Sequence, residues 1–395
     1  KTSAELKKPL SEYTIKLKSF WSNILSIYGL FMFSDGKISR KQKTIFCVLS
    51  ILQLTIWLHY IICFINTTAL ESSISKFGYY SGLVVNSSMS VFSLWLMNRR
   101  RISMTKLLNN SINYLGKHTQ CMKHIWLYSL IPSVCLLGIS FVEVLCSVVD
   151  VIIQDNREIR NYSALYFFKV YLEDEYLFIA QSVISVGFVV SFYVSTEFIN
   201  ISVWFFTHTC HLVFYRFKYL NVKLEKILRS DKQLSSFDLA EYRKEHQLAC
   251  QVTEELRDLW SPLIFFWIFG LILNLCFALR GLHFSNSTLF MIAYVADVVR
   301  QLWLLIGLFK AGSIVNIEAH RLAEKLVTFS VSKSSSLSTL KEQMDYNINY
   351  MLLCERLINT RIGISASGMF LLNSSSFLSM AATVLTYVIV LYQSH

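Results

Sequence analysis

The sequence predicts an all-α polytopic membrane protein with seven transmembrane helices, the N-terminus in the cytoplasm and the C-terminus outside. Three observations predict it. Of 395 residues, 54% are hydrophobic and only 16% are charged, against about 25% charged in an ordinary soluble chain. Structure-breaking residues are scarce, with 3 Pro and 13 Gly, and mean hydropathy is +0.45. Lys and Arg fall on alternate loops between the apolar stretches. This balance argues against a soluble multidomain enzyme, a disordered chain and a disulfide-rich scaffold.

A helix crossing the hydrocarbon needs about 20 mostly apolar residues, and seven stretches qualify. Span 1 is Thr44–Asn66 and span 2 is Gly78–Asn98, both without formal charge. Span 3 is His124–Val151, with Glu143 inside and Asp150 at its end, and span 4 is Glu175–Thr207, with Glu197 inside. Span 5 is Leu259–Leu282, charged only at Arg280. Span 6, Thr288–Ile314, holds Asp297, Arg300 and Lys310, and span 7, Gly363–Gln393, has no charge. Before span 1 the apolar stretch Trp21–Phe33 is too short and interrupted for a cleavable leader, so span 1 is expected to act as an uncleaved anchor. Because the chain opens on Lys rather than Met, a few residues are expected to precede it.

Orientation follows from the basic residues, which accumulate on the cytoplasmic side. Residues 1–43 hold nine Lys and Arg, 99–123 hold six, 208–258 hold nine and 315–362 hold six. The alternate segments hold only Lys76, Arg157, Arg160 and Lys169. Sequons agree in part: Asn66, Asn161 and Asn286 fall in loops assigned outside and are candidate glycosylation sites, whereas Asn109 falls inside. The net charge of +11 then faces anionic lipid of the cytoplasmic leaflet, so membrane lipid is an expected partner and nucleic acid is not.

Neither a phosphate-binding glycine loop nor zinc-type cysteine spacing occurs, so no enzyme activity, cofactor or metal is expected. The nine cysteines include no Cys-x-x-Cys pair, and none lies clearly in an outer loop. His208 and His211 could share a metal by spacing, but no further ligand accompanies them.

The cytoplasmic segments carry helical periodicity. Tyr215, Leu220, Leu224, Ile227 and Leu228 share one face, as do Leu239, Tyr242, His246, Ala249, Val252 and Leu256. After a serine-rich linker at 332–338, Leu337, Leu340, Met344, Ile348 and Met351 form an apolar stripe. These helices form either a bundle beneath the membrane or separate amphipathic surface helices.

Charges at bilayer depth face protein or water. Asp297 and Arg300, three apart on span 6, either tie that span to a neighbour or wall a ligand pocket. Glu143, Gln181, Asn274 and Arg280 lie at similar depth, together with the aromatics Tyr79, Tyr80, Tyr176, Phe178, Phe290 and Tyr294. Aromatics with a few polar groups are what small-molecule sites present, so Asp297, Arg300, Tyr294, Glu143, Gln181, Tyr176, Asn274 and Tyr80 are the candidate ligand residues. Glu197 and Asn200 are read as interhelical hydrogen-bonding groups. Span 7 is rich in Ser and Thr, which either permit close helix approach or line a wet path.

From Phe370 to Gln393 span 7 reads FLLNSSSFLSMAATVLTYVIVLYQ. It resembles the C-terminal signature of insect gustatory receptors: Thr-Tyr, five mostly hydrophobic residues, then Gln-Phe. The segment Ile27-Tyr28-Gly29-Leu30-Phe31-Met32-Phe33 is similar to the Gly-Leu-Phe-x-Phe motif that precedes their first span. Ser394 stands where the signature has Phe, and Val388 where sugar-responding members often carry Glu. The resemblance implies a tetrameric, ligand-gated cation channel of sensory-neuron plasma membranes, built from identical or related subunits and opened by a small-molecule tastant. It also implies that Gln393, Val390, Ile389, Thr386 and Tyr387 belong to the pore helix, with Gln393 at the outer gate.

The chain then divides into a cytoplasmic segment (1–43), a ligand-binding bundle of spans 1–4 (44–207), cytoplasmic helices (208–258), spans 5–6 (259–314), cytoplasmic anchor helices (315–362) and the pore helix (363–395). An odorant-receptor-type channel shares this layout. A G-protein-coupled receptor would need the opposite orientation, and neither Asp-Arg-Tyr nor Asn-Pro-x-x-Tyr occurs.

Overall fold

The computed structural model describes residues 12–32, 39–69, 74–116, 119–168, 170, 173–229, 236–284, 287–321, 340–359 and 362–393. Asn286, Lys169, Ser394, Leu337 and the linker at 332–338 lie outside the described residues, as does the side chain of Tyr79. Helix α1 (Glu12–Ile27) buries Thr14, Leu17, Trp21 and Leu25, a stripe at three- and four-residue steps. It ends in a left-handed cap: Gly29 has φ +77°, and the Leu30 N–H donates to the Leu25 carbonyl at 2.9 Å. The Gly of the Gly-Leu-Phe motif is therefore a helix terminator that turns the chain toward α2 (Arg40–Ala69).

Helices α3 (Ile74–Arg99), α4 (Arg101–Leu115) and α5 (Thr119–Ile153) follow. Helix α6 (Asn156–Tyr166) is capped by Asp155, whose carboxylate accepts from the Glu158 N–H at 2.8 Å. After a 3₁₀ turn at Asp174–Tyr176, α7 (Leu177–Ser191) passes through a π-helical stretch, Phe192–Glu197, into α8 (Phe198–Arg229). Within that widened turn the Val194 carbonyl accepts from Gln53 Nε2 at 3.0 Å and Ser90 Oγ at 3.2 Å, tying span 4 to spans 1 and 2. Helix α9 (Ser236–Phe284) runs unbroken for 49 residues, about 73 Å. Helix α10 (Thr288–His320) and α11 (Leu340–Asn359) precede a two-stranded hairpin, β1 (Ser365–Ala366) and β2 (Phe370–Leu371), paired Ser365 to Leu371. Helix α12 (Ser374–Gln393) closes the chain.

Five helical stretches are long and apolar enough to cross a membrane: Arg40–Thr67, Gln120–Ile153, Asp174–Lys226, Phe237–His283 and Thr288–His320. Helices α3 and α12, of 26 and 20 residues, are about 39 and 30 Å long and complete the seven. Their lipid-facing sides carry bare apolar residues such as Ile51, Phe141, Phe178 and Val186. The core centres on α9, where Trp260, Leu263, Ile264, Trp267 and Leu271 are fully buried. Trp260 meets Phe205 and Phe206 of α8, and the Trp267 N–H donates to Ser93 Oγ of α3 at 2.8 Å.

Two expectations change. Span 7 does not start at Gly363: Ser365 and Ser367 belong to the hairpin, and the helix begins at Ser374. The Asn373 Oδ1 accepts there from the Ser376 N–H at 2.8 Å, capping it. The stripe Leu340, Met344, Ile348 and Met351 on α11 is exposed, and the opposite face, with Tyr346, Tyr350, Leu353 and Leu357, is buried. Periodicity identified the helix, and the face it buries is the one that carries the tyrosine rings. The predicted faces of α8 and α9 are buried at Leu220, Leu224, Leu239, Tyr242, His246, Ala249 and Leu256.

A Cβ on Gly29 would lie 3.1 Å from the Phe46 Cα in a left-handed backbone. Gly29→Ala is expected to cost about 1–3 kcal/mol. Gly138→Ala, with nothing within 4 Å, is expected to be neutral or slightly stabilising. Thermal melts of detergent-purified protein check both.

Candidate functional site

Four helices meet at the end of the bundle where α9 turns into α10, and the residues they bring there are mostly polar or small. Asp297 and Tyr294 come from α10, Glu143 and Ser147 from α5, Asn274 and Phe277 from α9, and Gly78, Gly82 and Asn86 from α3. They line a narrow cleft of about 60 Å³, with Phe290 also in its wall. That volume holds a few waters, at about 10–15 Å³ each, rather than a drug-sized molecule of several hundred cubic ångströms.

Behind the cleft Arg300 is fully buried. Its Nε donates to Glu143 at 3.1 Å, its Nη2 donates to Asp297, and its Nη1 donates to Asn200 Oδ1 at 3.2 Å. Asn200 Nδ2 donates to Ser140 Oγ at 3.0 Å and to Glu197 at 3.2 Å, while Gln301 donates to Asp297 at 3.1 Å. One guanidinium therefore ties spans 3, 4 and 6 together. A buried cation is tolerable only when opposite charges and acceptors fill its donors, and here three separate helices supply them.

Of the residues singled out in the sequence, Glu143, Asn274, Tyr294 and Asp297 line this cleft, and Arg300 holds two of them in place. Tyr80 lies elsewhere, buried with Tyr60, Cys63 and Leu165. Gln181 Nε2 donates to the Val151 and Ile152 carbonyls, both at 2.8 Å, at the end of α5. Tyr176 is half exposed at the start of span 4. Sequence reasoning missed Asn86, Ser147, Gly78 and Gly82. The signal was present: Gly78, Gly82 and Asn86 recur every four residues and so form one stripe of α3. His208 and His211 are committed to other contacts, with Ser129 Oγ and the Thr207 carbonyl at 2.7 and 2.8 Å.

The other region of interest is α12. Its first half packs on the core through Phe377, Met380 and Val384. Beyond them Leu385, Thr386, Tyr387, Ile389, Val390 and Gln393 are exposed. The Thr383 and Thr386 hydroxyls donate to carbonyls one turn earlier, Ser379 at 3.0 Å and Ala382 at 2.9 Å. That leaves their oxygen lone pairs along an uncharged helix.

The model of the 7tm chemosensory receptor family matches residues 19–395. The chain belongs to that family. Its fold matches the solved structure of the insect olfactory receptor OR5 from Machilis hrabei with a TM-score of 0.72 at 17% identity, covering 97% of this chain and 100% of that one. The same receptor solved in complex with eugenol matches equally, with a TM-score of 0.72, 17% identity, and 98% and 100% of the two chains covered. A comparison with curated proteins finds no match. At this identity the solved receptors establish a shared fold for this chemosensory receptor.

Replacing Arg300 with Met would leave Glu143 and Asp297 facing each other without a counter-charge. We expect Arg300→Met to destabilise the receptor by about 3–5 kcal/mol. Adding Glu143→Gln is expected to restore part of the loss, because one uncompensated charge goes with it. Melting of the purified single and double variants reads both effects.

Proposed function

We propose that this chain is a gustatory receptor acting as a ligand-gated, non-selective cation channel in the plasma membrane of sensory neurons. A small-molecule tastant binds the cleft bounded by Asp297, Glu143, Asn274 and Tyr294. The observation that carries the channel reading is the state of α12. In a single chain Thr386, Tyr387, Ile389, Val390 and Gln393 are exposed, although this end is uncharged, mostly apolar and the part that resembles the gustatory signature. Four copies assembled around these ends would cover the apolar residues and leave hydroxyl and amide groups along a central path. The exposed aliphatic stripe of α11 offers a second surface for the same assembly. Related receptor subunits could replace some of the copies.

Gating on this reading is a shift between two states. Ligand draws the outer ends of α3, α5, α9 and α10 together, and α12 moves away from the pore axis. A ligand opens the channel only to the extent that it binds the open state more tightly. The odorant-type reading is favoured by the solved olfactory receptors and differs in ligand alone; currents evoked by a panel of volatile and non-volatile compounds separate the two.

The charge bias places α6 outside the cell. Of the two described sequons in loops assigned outside, Asn161 is exposed, whereas the Asn66 amide nitrogen is buried. Asn161→Gln is expected to abolish a glycosidase-sensitive mobility shift; a shift that persists would count against this acceptor. For the pore, Gln393→Ala is expected to alter single-channel conductance in cells expressing the chain alone. Unchanged permeation and gating would remove Gln393 from the pore.

A further inference from the structure

We propose that the cleft is built for a compact organic ammonium ion, an inference that rests on the cleft being the ligand site. Every hydrogen-bonding side chain on its wall is an acceptor or can act as one. Glu143 and Asp297 present carboxylates, Asn86 and Asn274 amides, and Ser147 and Tyr294 hydroxyls, and no basic side chain is among the lining residues.

Among the described residues, carboxyl groups outnumber cations around Arg300. Glu143, Asp297 and Glu197 surround Arg300, three carboxyl groups against one guanidinium. Arg300 uses Glu143 Oε2 and Asp297 Oδ1, so each carboxylate has a second oxygen that takes no protein donor among the described residues. Arg280, the other cation at this end of α9, does not line the cleft.

A second, independent observation points the same way. Asn274 is 2% exposed, and its Nδ2 donates to Asn86 Oδ1 at 2.7 Å. Its Oδ1 is buried without any donor. That oxygen is 3.8 Å from where a Cβ on Gly82 would sit, so it looks onto the glycine-lined wall of the cleft. An orphaned buried acceptor is costly, and a ligand N–H would satisfy it. An ammonium group offers several N–H donors and a full positive charge, which matches two half-used carboxylates and one unfilled amide oxygen. Phe290 and Tyr294, with ring centroids 6.3 Å apart, supply π faces for the rest of the cation. The small volume favours a compact amine, and Gly78 and Gly82 set the depth available to it.

The test uses the full-length receptor purified in detergent at neutral pH, with isobutylamine and benzylamine against isobutanol and benzyl alcohol. The amines are expected to raise the melting temperature saturably, with half-saturation at least about tenfold below that of the matching alcohol. Glu143→Gln keeps an acceptor for Arg300 and is expected to weaken the amines about tenfold while leaving the alcohols unchanged. On Gly82 a Cβ meets only the Asn274 oxygen at ordinary contact distance, so Gly82→Val is expected to fold and to fill the cleft. It should abolish stabilisation by every member of the panel. If alcohols match or exceed amines, and Gly82→Val removes them, the cation assignment fails while the ligand-site reading stands. If amine stabilisation survives Gly82→Val, the ligand-site reading fails and takes the cation assignment with it. No response to either amine overturns the assignment.

Discussion

A single guanidinium organises the membrane half of this receptor. Arg300 sits where water is excluded, and its donors reach Glu143 on α5, Asp297 on its own helix and Asn200 on α8. Lipid gives helices no hydrophobic reason to prefer one another over acyl chains, so polar contacts weigh heavily in deciding which faces meet. The Arg300 network fixes the rotation of three helices at once. The Val194 carbonyl does the same for α2 and α3 through Gln53 and Ser90. The remaining packing, centred on the tryptophans of α9, fills space around those fixed points.

The same arrangement explains how the cleft acquires its character. Small side chains on α3 and α10, such as Gly82 and Ala293, leave room that the carboxylates and amides border. The two carboxylates are held from behind by Arg300, so they cannot swing away from the space in front of them. Rigidity on one side and emptiness on the other suit the binding role proposed for the cleft.

Much of this was legible in the sequence, for identifiable reasons. A charge inside a span is rare and must be paired, so Glu143, Asp297 and Arg300 announced themselves. Hydropathy and charge bias gave the span count, and each predicted span maps onto a helix. Tyr80 and Tyr176 were indistinguishable from the cleft aromatics by depth alone, because depth does not report which way a helix is rotated. Neutral residues such as Gly78, Gly82 and Asn86 carry no energetic alarm, so their stripe passed unnoticed. The hairpin before α12 escaped because Ser365–Leu371 is apolar enough to read as more helix. On α11 the aliphatic stripe is exposed and the tyrosine-bearing face is buried, and periodicity alone does not rank two such faces.

Helix α9 has a mechanical consequence. It passes from Leu239 and Tyr242 near one end, through Ser261 and Pro262, to Asn274 in the cleft. Ser261 Oγ donates to the Ser365 carbonyl at 2.9 Å and accepts from the Ser367 N–H at 2.6 Å, so the root of α12 is fastened to this rod. Asn274 stands 13 residues beyond Ser261, about 20 Å along the axis. Pro262, next to Ser261, withdraws one backbone donor from the helix between these two places, so it marks where α9 can bend. Cleft and final helix are thus attached to one helix on either side of its proline.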